Sequence, residues 1–166
     1  MQKLLLERFL PYRLNRAAAQ VSRDFRRVYG PNHDLTVPEW RVLATLGEFE
    51  EMTAKSIGTH SSMHKTKVSR AVSALETRRW LTRRQNPDDR REDFLSLTPL
   101  GRQTYSAIVP RALAFEKALL KRLGPHARSL LDGMDRLDEI LSATTQGRTE
   151  PPDRGAPRNR ILSCSE

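Results

Sequence analysis

The chain has 166 residues, enough for one domain with an extension, and 29 Lys+Arg stand against 20 Asp+Glu, a formal net charge of +9. No apolar run reaches the roughly 18 residues of a membrane span, and the N-terminus lacks the order of a secretory signal, so the expected place is the cytoplasm. A single cysteine, Cys164, excludes an internal disulfide framework and a multi-thiolate zinc site. The charge is concentrated, because residues 53–102 carry 11 basic and 5 acidic side chains while the stretches on either side are nearly neutral. A basic module between two near-neutral arms points to a polyanionic partner.

Leu6, Phe9, Leu10, Leu14, Ala17, Ala18, Val21, Phe25 and Val28 recur at three and four residues and predict one long helix from Leu4 to about Tyr29. Pro11 inside that pattern predicts a kink or a split, and Gly30-Pro31-Asn32 a stop. Thr36-Val37-Pro38-Glu39 matches a capping box and opens a short helix with Trp40, Leu43, Ala44 and Leu46 on its apolar side. Thr53 reads as the cap of another short helix ending near His60. After a turn at Ser61-Ser62-Met63, a longer helix runs from about His64 to Arg79. Val68, Ala71, Val72 and Leu75 face inward on it, and Lys65, Thr66, Lys67, Ser69, Arg70 and Ser73 face elsewhere. Two helices joined by a tight turn, the second polar and basic in its N-terminal half, make a helix-turn-helix.

Trp80–Arg84 and Phe94–Leu97 are two short strand candidates around the charged turn Gln85–Glu92, a hairpin of the kind called a wing. Thr98-Pro99 opens a helix that runs to about Leu123, bent or broken at Pro110; Gly124-Pro125 stops it. A last amphipathic helix follows through Leu130, Leu131, Met134, Leu137, Ile140 and Leu141, and from Gln146 onward the composition predicts a disordered tail. The expected fold class is mainly α. A winged helix-turn-helix lobe with a two-stranded β-wing occupies 36–98. It lies between an N-terminal dimerisation helix (1–35) and C-terminal dimerisation helices (99–145), with a tail at 146–166. Both arms are amphipathic and the central block is too small to bury both apolar faces, which predicts a homodimer. Such a dimer would place two recognition helices about one DNA turn apart, roughly 34–36 Å.

Over about residues 9–145 the chain resembles the MarR winged-helix transcription regulators. Asp89-Arg90-Arg91, Leu95-Ser96-Leu97-Thr98 and Gly101 match the family's wing pattern D-x-R-x-x-x-L-x-L-T-x-x-G. Lys67-Val68-Ser69-Arg70, Leu75-Glu76 and Trp80-Leu81 stand where the family has T-V-T-R, L-E and G-L. Leu10-Pro11-Tyr12-Arg13-Leu14 and Pro38-Glu39-Trp40-Arg41-Val42-Leu43 resemble one branch of it. The resemblance implies a homodimer clasped by its terminal helices, recognition helices in successive major grooves and wings in the flanking minor grooves. By position, Arg91 matches the wing arginine that enters the minor groove, and Asp89 the acid that helps fix the wing. The chain departs from the pattern at His64, where many members have an acidic helix cap. It departs again at Ser61-Ser62-Met63, in place of Leu-Gly-Leu, and at Arg79-Trp80, in place of Gly and an aliphatic residue.

The expected DNA-facing set is therefore His64, Lys65, Thr66, Lys67, Ser69 and Arg70 on the helix, with Arg83, Arg84, Asp89, Arg90 and Arg91 on the wing. Four Arg within nine positions, with acids inside that span only at Asp88 and Asp89, would repel one another unless an anion lay near. A narrow minor groove favours inserted Arg. Family members commonly bind small aromatic acids or related thioesters between the dimer arms and the DNA-binding lobe. Here Tyr12, Arg13, Arg16, Tyr29, His33 and Trp40 are the candidate border of such a cleft, a mix suited to an aromatic carboxylate or an aromatic acyl-CoA. His33, His60, His64 and His126 have no carboxylate cluster, and a turn separates His60 from His64, so no metal or other cofactor is expected. Cys164, in a polar tail, reads as an incidental thiol. With no nucleophile elbow, phosphate-cradling glycine loop or His–carboxylate pair, an enzyme is not expected. The expected function is a sequence-specific DNA-binding regulator, a homodimeric repressor released by a small anion. The competing reading, a helical protein–protein adaptor on a winged-helix scaffold, has no need of a cationic wing.

Overall fold

The computed structural model describes residues 3–87 and 91–146, with side chains through 143. Leu6–Arg8 makes a single 3-10 turn, and α1 runs Leu10–His33. The expected split falls just before Pro11, at Phe9, which is extended between the 3-10 turn and α1; Pro11 sits in the first turn of α1, where its missing N–H has no intrahelical partner to lose. At the far end α1 continues through Gly30-Pro31-Asn32. The stop falls at Asp34, which adopts φ 46 and donates its amide to the Gly30 carbonyl at 2.7 Å. Pro31 and Arg27, whose carbonyl loses its donor, are both exposed, so water can take the donor's place.

α2 (Val37–Phe49) starts on the predicted capping box: Thr36 Oγ1 accepts from the Glu39 amide at 3.4 Å, and Glu39 Oε2 accepts from the Thr36 amide at 3.0 Å. α3 (Ala54–His60) is capped by Thr53, and α4 (Lys65–Thr77) follows one turn later. The sheet has three strands, not the two expected. β1 (Glu51–Thr53) pairs antiparallel with β3 (Asp93–Leu97), and β3 pairs with β2 (Leu81–Gln85), in the order β1-β3-β2. The register sets Met52 opposite Leu95 and Leu81 opposite Leu97. A three-residue strand has no room to show a period-two pattern, and only its pairing defines it.

α5 spans Pro99–Leu123 without a break at Pro110. That residue and Ser106, whose carbonyl it leaves without a donor, are exposed. Thr98 caps α5, its Oγ1 accepting from the Gly101 amide at 3.1 Å. Gly101 is required by close approach: a Cβ there would lie 2.0 Å from the Trp80 carbonyl oxygen. α6 covers His126–Gln146.

The described residues group into two compact units, one up to Leu119 and one from Leu120 onward. In the first, Leu43 and Leu46 of α2, Ile57 of α3, Val68, Val72 and Leu75 of α4, and Leu95 of β3 form one buried core. The same core draws in Tyr29 from α1 and Ile108 from α5. In the second unit α6 exposes Leu130, Leu131 and Met134. No described helix is long and apolar enough to cross a membrane.

Candidate nucleic-acid interface

The turn before α4 is built by backbone and by one buried side chain. The Met63 amide donates to the Gly58 carbonyl at 2.9 Å, Ser62 takes φ 52, and Met63 is buried in the core, filling the position where Leu was the expected type. Arg41 of α2 reaches this turn and donates to the Ser61 carbonyl at 3.4 Å. His64 is itself the N-cap of α4: a ring nitrogen accepts from the Thr66 amide at 3.4 Å, doing the work of the absent acid.

The burial of α4 follows its sequence period. Val68, Ala71, Val72 and Leu75 are buried, while His64, Lys65, Thr66, Lys67, Ser69 and Arg70 are exposed. No described ion pair engages Lys65, Lys67 or Arg70. The C-terminal end of α4 closes as a Schellman turn. Arg79, at φ 58, donates its amide to Glu76 and Trp80 donates to Leu75, at 2.8 and 2.9 Å. Arg79 thus occupies the left-handed position for which glycine is suited. Arg78 donates to the carbonyls of His33 and Asp34 at 2.7 and 2.9 Å, fastening the end of α4 to the end of α1.

On the wing, two of the expected DNA-facing cations find acids within the fold. Arg83 pairs with Glu76 and Asp93, and Arg84 with Glu51, acids contributed by α4, β3 and β1 that proximity in sequence does not reveal. Glu76 raises the Arg83 pKa, chiefly by hydrogen bonding, and Glu51 does the same for Arg84. Arg91 is exposed and, with Lys55, Lys65 and Arg83, borders a recess of about 550 Å³ between α3, α4 and the wing. Asp89 and Arg90 lie outside the described residues, as does Cys164.

A second cleft, of about 320 Å³, opens in the first unit between α1, α2 and α5. Of the expected border residues it takes Tyr29 and Trp40; Tyr12, Arg13, Arg16 and His33 stand outside its lining. Arg16 instead pairs with Glu7 at 2.9 Å on the surface. Phe25, Arg41 and Phe115 line it unforeseen. Phe25 was legible one turn before Tyr29 on α1, whereas Phe115 arrives from α5 and carried no local signal. The rings form one cluster, Phe25 with Trp40 at 5.4 Å, Phe25 with Phe115 at 5.1 Å and Tyr29 stacked on Trp40 at 5.4 Å. The Tyr29 hydroxyl is buried with no hydrogen-bond partner among the described residues. Burial pushes its pKa up to about 12, against the opposing pull of the Arg26 and Arg41 cations.

Residues 35–92 match the MarR family model. The chain is 30% identical over 115 residues to the HTH-type transcriptional regulator YwoH of Bacillus subtilis, covering 69% of this chain and 82% of YwoH. The chain belongs to the MarR family. The MarR-family fold extends over most of the molecule: the transcriptional regulator SPO1453 of Silicibacter pomeroyi superposes with a TM-score of 0.72 at 27% identity, over 84% of this chain and 99% of that one. BpsR of Bordetella bronchiseptica, whose DNA binding is regulated by 6-hydroxynicotinic acid, superposes at 0.69 with 22% identity, over 83% and 98%. This MarR-family chain is accordingly a DNA-binding transcriptional regulator, and its relatives are regulators, not enzymes.

Proposed function

We propose that this regulator acts as a homodimeric repressor, with α4 of each copy in a major groove and each wing along the flanking minor groove, released by a small aromatic anion. The observation that carries the DNA-facing part is the outward side of α4, where Lys65, Lys67 and Arg70 stand exposed among Thr66, Ser69 and His64, with no acid on the helix before Glu76. Arg can read guanine edges bidentately, a correct pair contributing about 1–3 kcal/mol of discrimination. Arg91 extends the cationic surface along the wing, and Asp89 and Arg90 join the DNA-facing set on the sequence motif alone.

The effector part rests on the aromatic cleft. An orphaned hydroxyl, a cation at Arg41 and flat walls from Phe25, Trp40 and Phe115 suit an aromatic carboxylate or an aromatic acyl thioester, and 6-hydroxynicotinic acid, the BpsR ligand, is of the first class. Such a ligand releases DNA only by binding better to a dimer whose recognition helices are wrongly spaced, and a tenfold loss of DNA affinity needs about 1.4 kcal/mol of that preference.

The test is fluorescence anisotropy on the intergenic DNA upstream of the protein's own gene, against a scrambled duplex and across a salt series. Preference for the native duplex with a steep salt slope is expected, followed by release on adding hydroxylated aromatic carboxylates. Equal, weak binding to both duplexes would remove the DNA-recognition reading, and an affinity untouched by the acids would remove the effector reading.

A further inference from the structure

Arg83 and Arg84 are neighbours on β2 and so reach to opposite faces of the sheet. Arg83 lays a two-pronged fork on Glu76, Nε to Oε1 at 2.5 Å and Nη2 to Oε2 at 2.8 Å, and its Nη1 stands 3.6 Å from Asp93. Arg84 crosses the face of Phe94 at 5.0 Å and forks onto Glu51 at 3.2 and 2.8 Å, spanning all three strands. Lys65, Lys67 and Arg70, by contrast, meet no described acid. The basic surface thus divides into cations left open to an outside anion and cations neutralised inside the fold.

Glu76 belongs to the last turn of α4, and Asp93 opens the strand that follows Arg91. The Arg83 fork therefore ties the element facing the major groove to the base of the element facing the minor groove. The side chains of Arg83 and Glu76 are 42% and 30% exposed, so the pair is partly shielded from solvent. Bidentate Arg–carboxylate pairs hold geometry as well as charge.

We propose that Arg83 is a positioning residue, not a DNA contact: together with Glu76 and Asp93 it sets the angle between the recognition helix and the wing, and thereby the sequence preference of both. The inference rests on α4 and the wing facing DNA. Arg83 already commits Nε and Nη2 to Glu76 and holds Nη1 beside Asp93, so a phosphate reaching it would meet two carboxylates as well as the cation.

The experiment compares Arg83→Gln, Arg83→Lys, Glu76→Gln and the pair Arg83→Gln/Glu76→Gln. Each is measured on the duplex that the wild-type protein enriches from a random library and on a scrambled duplex. Each single change is expected to weaken the enriched duplex about fivefold, the order a partly exposed ion pair supports. The salt slope and the scrambled duplex should not move. The double variant should be no weaker than either single one, and Arg83→Lys should fail like Arg83→Gln, because an ammonium keeps the charge without the fork. Tighter binding by Glu76→Gln, a salt slope reduced by about one in Arg83→Gln, or full rescue by Arg83→Lys would overturn the proposal. A second readout needs no DNA: in the free protein the Arg83 Nε–H resonance should be protected from exchange and lose that protection in Glu76→Gln. A resonance as labile as that of Arg70 would overturn the brace whatever the DNA result. Failure to enrich any duplex, with the protected resonance present, would instead count against the DNA reading.

Discussion

The Tyr29 hydroxyl is buried and meets no hydrogen-bond partner among the described residues, and an unmet buried hydroxyl costs about 1–3 kcal/mol. Tyr29→Phe is expected to raise stability by about 1 kcal/mol in chemical denaturation and to weaken any effector seated in the cleft. Its pH behaviour has a definite sign. The folded chain keeps the proton to about 12, against 10.0 for an ordinary tyrosine, so Tyr29 adds no titration penalty below pH 10 and the fold loses stability as pH climbs from there toward about 12. Tyr29→Phe should lack that alkaline loss; identical alkaline profiles for the two proteins would show that the hydroxyl is solvated. On the DNA side, Lys67→Ala, Arg70→Ala and Arg91→Ala should each weaken binding at physiological salt, with thermal midpoints unchanged in the two α4 variants, whose side chains are exposed. Preserved affinity in the two α4 variants would remove the recognition-helix assignment, and preserved affinity in Arg91→Ala the wing assignment.

The joints between elements carry constraints of their own. Arg79 accepts a left-handed backbone to close α4, at a cost of about 1 kcal/mol for a residue with a Cβ. Arg79→Gly is expected to raise stability by about 0.5 kcal/mol, the relieved strain exceeding the entropy that glycine adds to the unfolded chain. Gly101→Ala should do the reverse, because the added Cβ would meet the Trp80 carbonyl oxygen at 2.0 Å; destabilisation of about 2 kcal/mol or more is expected in urea unfolding. An unchanged midpoint would mean that α5 can move off the wing. The helices were largely legible beforehand, since caps such as Thr36, Thr53 and Thr98 and the face Val68-Val72-Leu75 depend on neighbours within a few residues. The prolines acted for local reasons too. Pro11 falls in the first turn of α1, directly after the split at Phe9, whereas Pro31 and Pro110 fall where the helix is exposed to water, so neither of those two ends its helix.

Each compact unit leaves apolar surface exposed: Leu5, Phe9 and Leu10 in the first, and Leu130, Leu131 and Met134 in the second. Surface of this kind marks an association site. Sedimentation is expected to return a mass twice 19.0 kDa, and Leu130→Lys with Met134→Lys should shift the protein toward monomer and weaken operator binding with it. A monomer that binds the operator at full strength would refute the dimer. The basic block, the helix-turn-helix, the wing motif and the family were all readable from the residues in order, because helix period, capping and charge density are written over short stretches. Other features existed only once the chain had folded. The strand Glu51–Thr53 is defined by its partner Phe94–Ser96. Arg84 finds Glu51 from 33 residues away. Phe115 and Tyr29 meet in a cleft that no window of sequence contains. A charge or a ring can be counted in the sequence, but whether it faces water, a carboxylate or a cavity depends on residues brought from elsewhere in the chain, and that only tertiary packing decides.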